Sequence, residues 1–361
     1  MANIAQITPA RVVIGVDTHK DLHVAVALDG LGRRVDSTTI PTTAGGYRKL
    51  VAWADSLGSV EAFGVEGTGS YGAALTRHLR DCDRHVVEVL RPNRQARRRN
   101  GKSDPADAEA AARAVISGEA TGTPKSGADL VEMIRVLRVA RSTARKARTG
   151  ALNALKSLVV TAPVELRDQL RGLSTSQLIA TAARLRPNAE TTTTAANKTA
   201  LRSLAGRCQA LDTELAELDG QLAELTAQAS PKLAETFGVG PETAGALLVA
   251  AGDNPDRLKS EAAFSMLCGA SPVEASSGKT VRHRLNRGGD RQANAALYRI
   301  VLVRMRHHAP TRAYVERRTT QGLSQTRDHP LLETLRRERN LRDPARHHHP
   351  HLNPRRSRSV N

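Results

Sequence analysis

Four carboxylates in the first third of the chain occupy positions at which acidic side chains can converge. Asp17 and Glu66 each end an apolar stretch, and Asp104 and Asp107 stand three residues apart at the start of a helical pattern. Carboxylates that lie close together repel one another unless cations separate them, and their oxygen atoms select Mg²⁺ or Mn²⁺. Two such ions can polarise a phosphodiester and stabilise its attacking and leaving oxygens. These residues therefore predict a magnesium or manganese site for phosphodiester chemistry.

Some of these residues also have a simpler interpretation. Asp104 precedes Pro105, and an aspartate before a proline is common as the N-cap of a helix, which is the favoured role for Asp104 taken alone. Asp17 is different, because a carboxylate that ends a buried apolar strand needs a reason to be there. His19 follows Asp17, and we expect it to be a strand-end histidine in contact with solvent rather than a base.

Basic residues form the second group of candidates. A cationic stretch without an acidic residue lies just before Asp104. Such a stretch usually faces solvent, but beside a carboxylate site it would hold a nucleic-acid backbone. The nucleic-acid-binding residues that we predict here are Arg94, Arg97, Arg98, Arg99 and Lys102.

Two segments nearer the C-terminus are also predicted to bind nucleic acid. Residues 237–244 read FGVGPETA between two helical patterns, and this segment resembles a helix-hairpin-helix in which Gly238 and Gly240 hold a phosphate through backbone amides. Glycine-rich helix connections are common, so the motif has a purely structural interpretation as well. Residues 275–290 form a predicted loop rich in Ser, Gly and Arg. Its predicted contacts to nucleic acid are Lys279, Arg282, Arg284 and Arg287.

The elements that must position the carboxylates follow a recognisable order. The pattern of the first 118 residues is βββαβαβα, with strands at 12–17, 23–28, 34–40, 61–66 and 85–90 and helices at 45–56, 70–79 and 104–116. This is the order of a ribonuclease-H-like fold, a mixed sheet with helices on both faces. In that fold the first and fourth strands are neighbours. Asp17 and Glu66 would then lie side by side, and Asp104 and Asp107 would project from the helix packed against that edge.

Long helical patterns replace the strands from about residue 128 to residue 229. The second of them carries a heptad seam over more than three repeats, which is typical of a coiled coil. The seam consists of Leu201, Leu204, Cys208, Leu211, Leu215, Leu218, Leu222 and Leu225. An intramolecular helical hairpin and a dimer seam explain this pattern equally well.

Composition narrows the class of partner. Lys and Arg number 54 against 36 Asp and Glu, which gives a formal net charge of +18 and favours a highly negative partner. Aromatic residues make up only 2%, so contact with phosphates is expected rather than stacking on bases. The three cysteines form no CxxC pair, which excludes a disulfide framework and a cysteine zinc site. The cysteine pattern fits a reduced cytoplasm. No apolar stretch of about 18 residues occurs, so we expect no membrane span. We expect a cytoplasmic protein that associates with the nucleoid.

Several motifs occur together in a specific order. They are GVDTHK at 15–20, VEGTGSY at 65–71, RPN at 91–93, KSDPADA at 102–108, GVGPET at 238–243, SP at 271–272 with SG at 277–278, and NRGG at 286–289. In this order and spacing they resemble the DEDD transposases of the IS110 insertion-sequence family, the bridge-RNA-guided recombinases. The resemblance covers about residues 10 to 324.

The resemblance implies a RuvC-like metal site made by Asp17, Glu66, Asp104 and Asp107, together with a nucleophilic serine near the C-terminus. Ser277, which precedes a glycine, matches the position of that serine, and the adjacent Ser276 is the second candidate. A serine that attacks a DNA phosphate conserves the bond energy in a phosphoserine link, which permits strand exchange without hydrolysis. Without the resemblance, a solvated Ser-Gly turn is the simpler interpretation.

We therefore predict a DNA transposase of mixed class, α/β and then all-α. Its predicted parts are a RuvC-like, ribonuclease-H-like domain at 10–120, a helical coiled-coil region at 128–229 and a helical transposase domain at 230–324. We expect residues 325–361 to form a basic, disordered tail, and we interpret its departure from the family pattern as a frameshift. The resemblance implies double-stranded DNA, a noncoding guide RNA and further copies of the chain, as a dimer or tetramer, as partners. The alternatives are a metal-dependent Holliday-junction nuclease, which needs no Ser277, and a non-catalytic nucleic-acid-binding protein.

Overall fold

The structure is a computed structural model that describes residues 11–89, 103–127, 129–187, 192–254, 258, 260–278, 280–284 and 286–320. The chain divides into two compact units. Among the described residues, the first unit contains those between 11 and 127 together with 252–254 and 258. The second unit contains those between 129 and 251 and those between 260 and 320. None of the helices in the described ranges is long and apolar enough to span a membrane.

A five-stranded mixed sheet forms the centre of the first unit. Its strands are β1 (Arg11–Thr18), β2 (Leu22–Asp29), β3 (Arg34–Pro41), β4 (Ser59–Glu66) and β5 (Val86–Val89). They lie in the order β3-β2-β1-β4-β5. β1 pairs antiparallel with β2 and parallel with β4, and β4 pairs parallel with β5. The prediction that the first and fourth strands are neighbours is therefore confirmed.

Helices cover both faces of this sheet, as predicted. They are α1 (Ala44–Ser56), α2 (Ala73–Asp81) and α3 (Asp104–Ile116). Ile14 and Val16 of β1 pack in one core with Leu50 of α1 and Leu75 of α2. Val13 belongs to the core on the opposite face, which includes residues of α3. Because side chains alternate along a strand, the central strand β1 is apolar on both faces.

Two glycines allow α3 to lie directly on the sheet. Gly15 of β1 and Gly64 of β4 are partners in the parallel register. A Cβ atom at Gly15 would stand 1.9 Å from the backbone oxygen of Ala108, and one at Gly64 would stand 3.0 Å from the backbone oxygen of Ala111. Side chains two residues apart in a strand share a face, so the residues that follow these glycines by two positions also face α3.

The second unit is built on an antiparallel pair of long helices, α4 (Asp129–Thr161) and α7 (Thr193–Ala229). Ion pairs join Arg141 to Asp219 and Arg148 to Asp212. Later residues of α4 thus meet earlier residues of α7, so the two helices run in opposite directions within one chain.

The heptad seam of α7 faces its own chain at both ends. Leu201 and Cys208 are buried in a core with Leu155 of α4, and Leu222 is buried with Ile134 near the other end of α4. Leu211, in the middle of the seam, is only half-buried. The seam therefore forms an intramolecular helical hairpin. Two short helices that the sequence did not predict, α5 (Val164–Leu170) and α6 (Thr175–Ala183), complete the core around Leu201.

The remainder of the second unit is helical, with one short ribbon. Its helices are α8 (Pro231–Glu235), α9 (Pro241–Ala251), α10 (Glu261–Leu267), α11 (Arg291–His307) and α12 (Ala309–Thr320), and its ribbon pairs β6 (Val273–Glu274) with β7 (His283–Arg284). Leu247 of α9 and Leu297 of α11 share a core with Leu222 of the long helical pair. The segment predicted as a loop at 275–290 thus contains the second strand of this ribbon, His283–Arg284.

Candidate active site

The carboxyl ends of β1 and β4 bring the first two candidate carboxylates to one edge of the sheet. The parallel register pairs Val16 with Val65, and beyond it the Thr18 hydroxyl donates to the Glu66 backbone oxygen at 2.9 Å. Asp17 and Glu66 follow Gly15 and Gly64 by two residues, so both lie on the face that α3 covers. The prediction that they are neighbours on adjacent strands is confirmed.

The first turn of α3 supplies the other two carboxylates. Ser103 is the N-cap, with an extended backbone at φ −147° and ψ 146°, and Asp104 is the first helical residue. The interpretation of Asp104 as an N-cap is therefore wrong. The Asp104 side chain is exposed. Asp107, one turn on, is only 5% exposed. The close packing of α3 on the two strand glycines places this turn beside the carboxyl end of β1.

His19 bridges two of these carboxylates. Its Nε2 atom lies 3.1 Å from Oδ2 of Asp17 and 3.4 Å from Oδ1 of Asp104. One ligand atom from each of these three residues lies within 4.8 Å of the other two. His19 directly follows β1 and its side chain is 45% exposed, so it is a strand-end histidine in contact with solvent, as expected. Its contacts with the two carboxylates were not predicted. The sequence signal that could have identified His19 as a site residue is its position two residues after Asp17. Its contact with Asp104 depends on packing between distant segments of the chain.

Electrostatics at this edge favour a bound cation. Burial raises the pKa of Asp17, and the negative charges of Asp107 and Asp104 raise it further, while His19 acts in the opposite direction. A divalent cation would offset this penalty because its positive charge stabilises the ionised carboxylates. Two carboxylate oxygens and an imidazole nitrogen are also donors that divalent metal ions accept. The residues present therefore fit a divalent metal ion.

The structure does not bring all predicted site residues into one ligand group. Among the described residues, neither Glu66 nor Asp107 joins a group of three whose ligand atoms all lie within 4.8 Å of one another. The charge of Asp107 nevertheless acts on Asp17. The four-carboxylate metal site therefore stays a prediction. The basic candidates before α3 lie outside the described residues, namely Arg94, Arg97, Arg98, Arg99 and Lys102.

The glycine hairpin before α9 is held mainly by contacts within its own unit. Gly238 has φ +84°, and a Cβ atom there would stand 3.0 Å from Cγ of Arg304. The Gly240 amide donates to the Thr243 hydroxyl at 2.9 Å, and the Val239 amide donates to the Thr236 backbone oxygen at 3.0 Å. The positive φ and the close packing against Arg304 together explain the glycine at 238. Contact of Gly238 and Gly240 with a phosphate stays a prediction.

The β6–β7 ribbon presents Ser277 at its tip. The register that pairs Val273 with Arg284 continues to a bridge between Ser277 and Thr280, with Gly278 in the turn at φ +57°. Ser277 is exposed, and within the described part of the chain its hydroxyl has no hydrogen-bond partner.

The neighbouring Ser276 differs from Ser277 in its contacts. The Ser276 hydroxyl accepts from the Arg282 amide at 3.2 Å and lies 3.4 Å from the Arg282 backbone oxygen, to which it donates. These contacts tie the Ser276 hydroxyl to the ribbon backbone, whereas the Ser277 hydroxyl projects from the tip. Of the two candidates, Ser277 is therefore the one whose hydroxyl is not held by the ribbon backbone.

Two arginines share a face of the ribbon with Ser277. In the common register, residues 273, 275 and 277 pair with 284, 282 and 280. Paired residues and residues two positions apart lie on the same face of an antiparallel ribbon. Arg282 and Arg284 are exposed on this face, and Arg287 is exposed beyond β7. Lys279 lies outside the described residues.

Two family models match the chain in these same regions. A DEDD model of the IS110 type, described as a transposase, matches residues 14–162. A second, described as transposase of the IS116/IS110/IS902 family, matches residues 230–316. The chain belongs to the IS110 family of transposases. No curated protein matches it.

Membership in this family assigns the two candidate regions to one enzyme. The first match contains the carboxylate edge of the sheet, and the second contains the glycine hairpin and the Ser277 ribbon. The transposase is a DNA-binding, DNA-recombining enzyme, and its DEDD domain supports the use of a divalent metal ion. The match does not favour the nuclease or the non-catalytic binding protein.

Proposed function

We propose that this transposase catalyses DNA strand cleavage and exchange with Ser277 as nucleophile and with Mg²⁺ or Mn²⁺ held by Asp17, Glu66, Asp104 and Asp107. The observation that carries the proposal is the convergence of Asp17 and Asp104 at the carboxyl edge of two central parallel strands, where Asp107 adds its charge. When bound, a divalent cation polarises a phosphodiester and stabilises its charged oxygens.

Ser277 begins the reaction in this proposal. Its Oγ attacks a DNA phosphorus atom, a serine–phosphate bond forms, and the bond from phosphorus to the leaving DNA oxygen breaks. The hydroxyl proton leaves Ser277, and the leaving oxygen takes up a proton. Attack by a DNA hydroxyl on the phosphoserine link then restores the serine and joins the new strands. Water takes no part, so no bond energy is lost to hydrolysis.

The arginines beside Ser277 bind the phosphate in this proposal. Arg282 and Arg284 share a face with Ser277, and guanidinium groups form strong, geometrically specific hydrogen bonds with phosphate oxygens. Stabilisation of the charge that develops on the phosphate lowers the barrier to attack. Arg287 and Lys279, also in this segment, extend the basic surface along the DNA.

Guide RNA and further copies of the chain complete the proposed assembly. The resemblance of the motifs to bridge-RNA-guided recombinases supports an RNA that selects donor and target DNA. The same resemblance supports a dimer or tetramer. The seam between Leu201 and Leu225 packs within one chain at both ends, so we assign the contact between copies to other surfaces. A nucleoid-associated location in the cytoplasm follows from the DNA substrate.

A covalent-trapping experiment tests the nucleophile. The protein is incubated with element-end DNA, its guide RNA and Mg²⁺, denatured, and examined for a protein–DNA adduct by gel electrophoresis and peptide mass. We expect an adduct on Ser277 that Ser277→Ala abolishes. Ser276→Ala is the matched control and should retain the adduct, because its hydroxyl is held by the Arg282 backbone.

Three results would contradict parts of the proposal. Cleavage that persists in Ser277→Ala and releases free phosphate ends would indicate a hydrolytic nuclease. An adduct on Ser276 would move the nucleophile by one residue. Full activity of Asp17→Asn or Glu66→Gln would remove those residues from the metal site.

A further inference from the structure

We propose that His19 is a ligand of the metal ion, alongside Asp17 and Asp104. This inference rests on the proposed metal-dependent function and adds a nitrogen donor that the four-carboxylate set lacks. Nε2 of His19 lies 3.1 Å and 3.4 Å from one oxygen of each carboxylate. Adjacent ligands of an octahedral ion with bonds of 2.0–2.1 Å stand about 3 Å apart. Both nitrogen–oxygen distances are therefore close to the separation of neighbouring ligands around one ion, and all three ligand atoms lie within 4.8 Å of one another.

The backbone holds His19 at this place. The His19 amide lies within hydrogen-bond distance of Nδ1 of His23, at 3.3 Å, and of the Leu22 backbone oxygen, at 3.2 Å. His23 is fully buried and stacks on Tyr47 with ring centroids 5.9 Å apart and planes 6° from parallel. A packed residue thus anchors the turn between β1 and β2 that carries His19. Ligands fixed before binding lose less freedom when an ion arrives.

A second arrangement would produce the same distances. His19 could act as a charged hydrogen-bond donor between the carboxylates and leave when a metal ion binds. In that arrangement no nitrogen would coordinate the ion. Direct detection of a nitrogen ligand therefore distinguishes the two.

A nitrogen ligand also changes which ions bind best. Mg²⁺ strongly prefers oxygen donors, whereas Mn²⁺, which also binds oxygen, accepts an imidazole nitrogen more readily because it is a softer ion. We therefore expect His19 to raise affinity for Mn²⁺ more than affinity for Mg²⁺. His19→Gln replaces the nitrogen donor with an amide that can offer oxygen. It should weaken Mn²⁺ binding by about 10- to 100-fold, the loss typical even for residues that only orient a ligand, and weaken Mg²⁺ binding less.

The test uses Mn²⁺ as the probe and needs no DNA or turnover. Electron spin-echo envelope modulation of Mn²⁺ bound to the full-length protein should show coupling to an imidazole nitrogen. Uniform ¹⁵N labelling of histidine in the unmutated protein should change that coupling. Because this measurement uses no variant, it does not depend on how well a variant folds. Mn²⁺ and Mg²⁺ affinities are measured in parallel by titration and competition.

Control variants separate this site from other histidines. His19→Gln should lose the nitrogen coupling. His85→Gln should keep it, because His85 is exposed in the same unit and lies outside the cluster. Replacement of His347, His348 and His349 by glutamine should also keep it, which excludes adventitious binding by this histidine run. Asp17→Asn should reduce occupancy of the site.

The possible failures are distinguishable. Bound Mn²⁺ without nitrogen coupling would overturn the role of His19 and leave the carboxylate site standing. Coupling that survives in His19→Gln would assign the nitrogen to another histidine and overturn the proposal. Protein that binds no Mn²⁺ would overturn both the proposal and the metal site on which it rests.

Discussion

Gly15→Ala should separate the two halves of the carboxylate site. The substitution adds one methyl group to β1, at a position where α3 lies directly on the strand. A Cβ atom would stand 1.9 Å from the Ala108 backbone oxygen and 2.5 Å from the Ala112 backbone nitrogen. These are backbone atoms of a helix, so no flexible side chain can turn aside. The helix itself must move.

The size of the movement follows from the contact distances. Real Cβ atoms essentially never lie under 3.0 Å from such a neighbour, so the gap at Ala108 must open from 1.9 Å to 3.0 Å, which is about 1.1 Å. Overpacking of a core typically costs about 1–3 kcal/mol, and a backbone clash of this depth falls at the upper end. A displacement of about 1 Å in a catalytic group can lower the rate by about 100-fold. Because Asp104 and Asp107 move with α3, we expect a loss of stability and also a loss of reaction rate.

Three measurements check this expectation on the full-length protein. Thermal unfolding reports the loss of stability, hydrogen exchange of the peptide from Asp104 to Ile116 reports loosening of α3, and titration with Mn²⁺ reports the site. Gly30→Ala is the control, since a Cβ atom there meets nothing within 4 Å. If Gly15→Ala matches Gly30→Ala in all three measurements, α3 does not rest on β1 as described.

Three further predictions concern other contacts. The pKa of Asp17 is raised, mainly by burial, so its ionisation destabilises the folded state above that pKa. Asp17→Asn should therefore raise Tm at pH 7 in metal-free buffer. This increase in Tm should disappear as the pH falls toward 3.8, the ordinary pKa of an aspartate. A Tm below that of the wild type at pH 7 would contradict the prediction. Gly238→Ala should lower the free energy of unfolding by about 1–3 kcal/mol, because φ is +84° there. Gly240→Ala should unfold like the wild type, because Gly240 has open space around it and no positive φ. Equal urea midpoints for the two variants would contradict this prediction. Leu201→Ala should destabilise the second unit by about 2–5 kcal/mol, and Leu211→Ala should cost clearly less because it is only half-buried; the reverse order would place the seam against another copy.

Local pattern was sufficient to predict the elements that carry the site. Alternating and continuous apolar stretches identified β1 and β4, and the Ser-Asp-Pro start identified α3 at its observed bounds. The order of strands and helices then predicted the neighbours in the sheet, because the ribonuclease-H-like arrangement sets which strands pair. The heptad spacing of the leucines likewise predicted the long helix α7, because a repeat of this period places the leucines on one continuous apolar face of a helix.

Other features depend on which distant segments meet. The heptad spacing is the same whether the helix that packs against α7 belongs to the same chain or to another copy. The ion pairs of Arg141 with Asp219 and of Arg148 with Asp212 show that this helix is α4 of the same chain. Residues 252–254 and 258 belong to the first unit, although the described chain on either side of them belongs to the second. Asp253 accepts from the Ser126 amide at 3.2 Å, a contact across more than a hundred residues that no local pattern encodes.

The same division applies inside the candidate site. Strand and helix patterns are local, and they were enough to predict that Asp17 ends a strand and that Asp104 begins a helix. Tertiary structure alone decided that His19 lies between them, since that contact requires α3 to pack on Gly15 and Gly64. It also distinguished Ser276 from Ser277, because one hydroxyl meets the backbone of the opposite strand and the other projects from the turn. Residue types and spacing specify the elements, whereas contacts between side chains depend on how closely those elements pack.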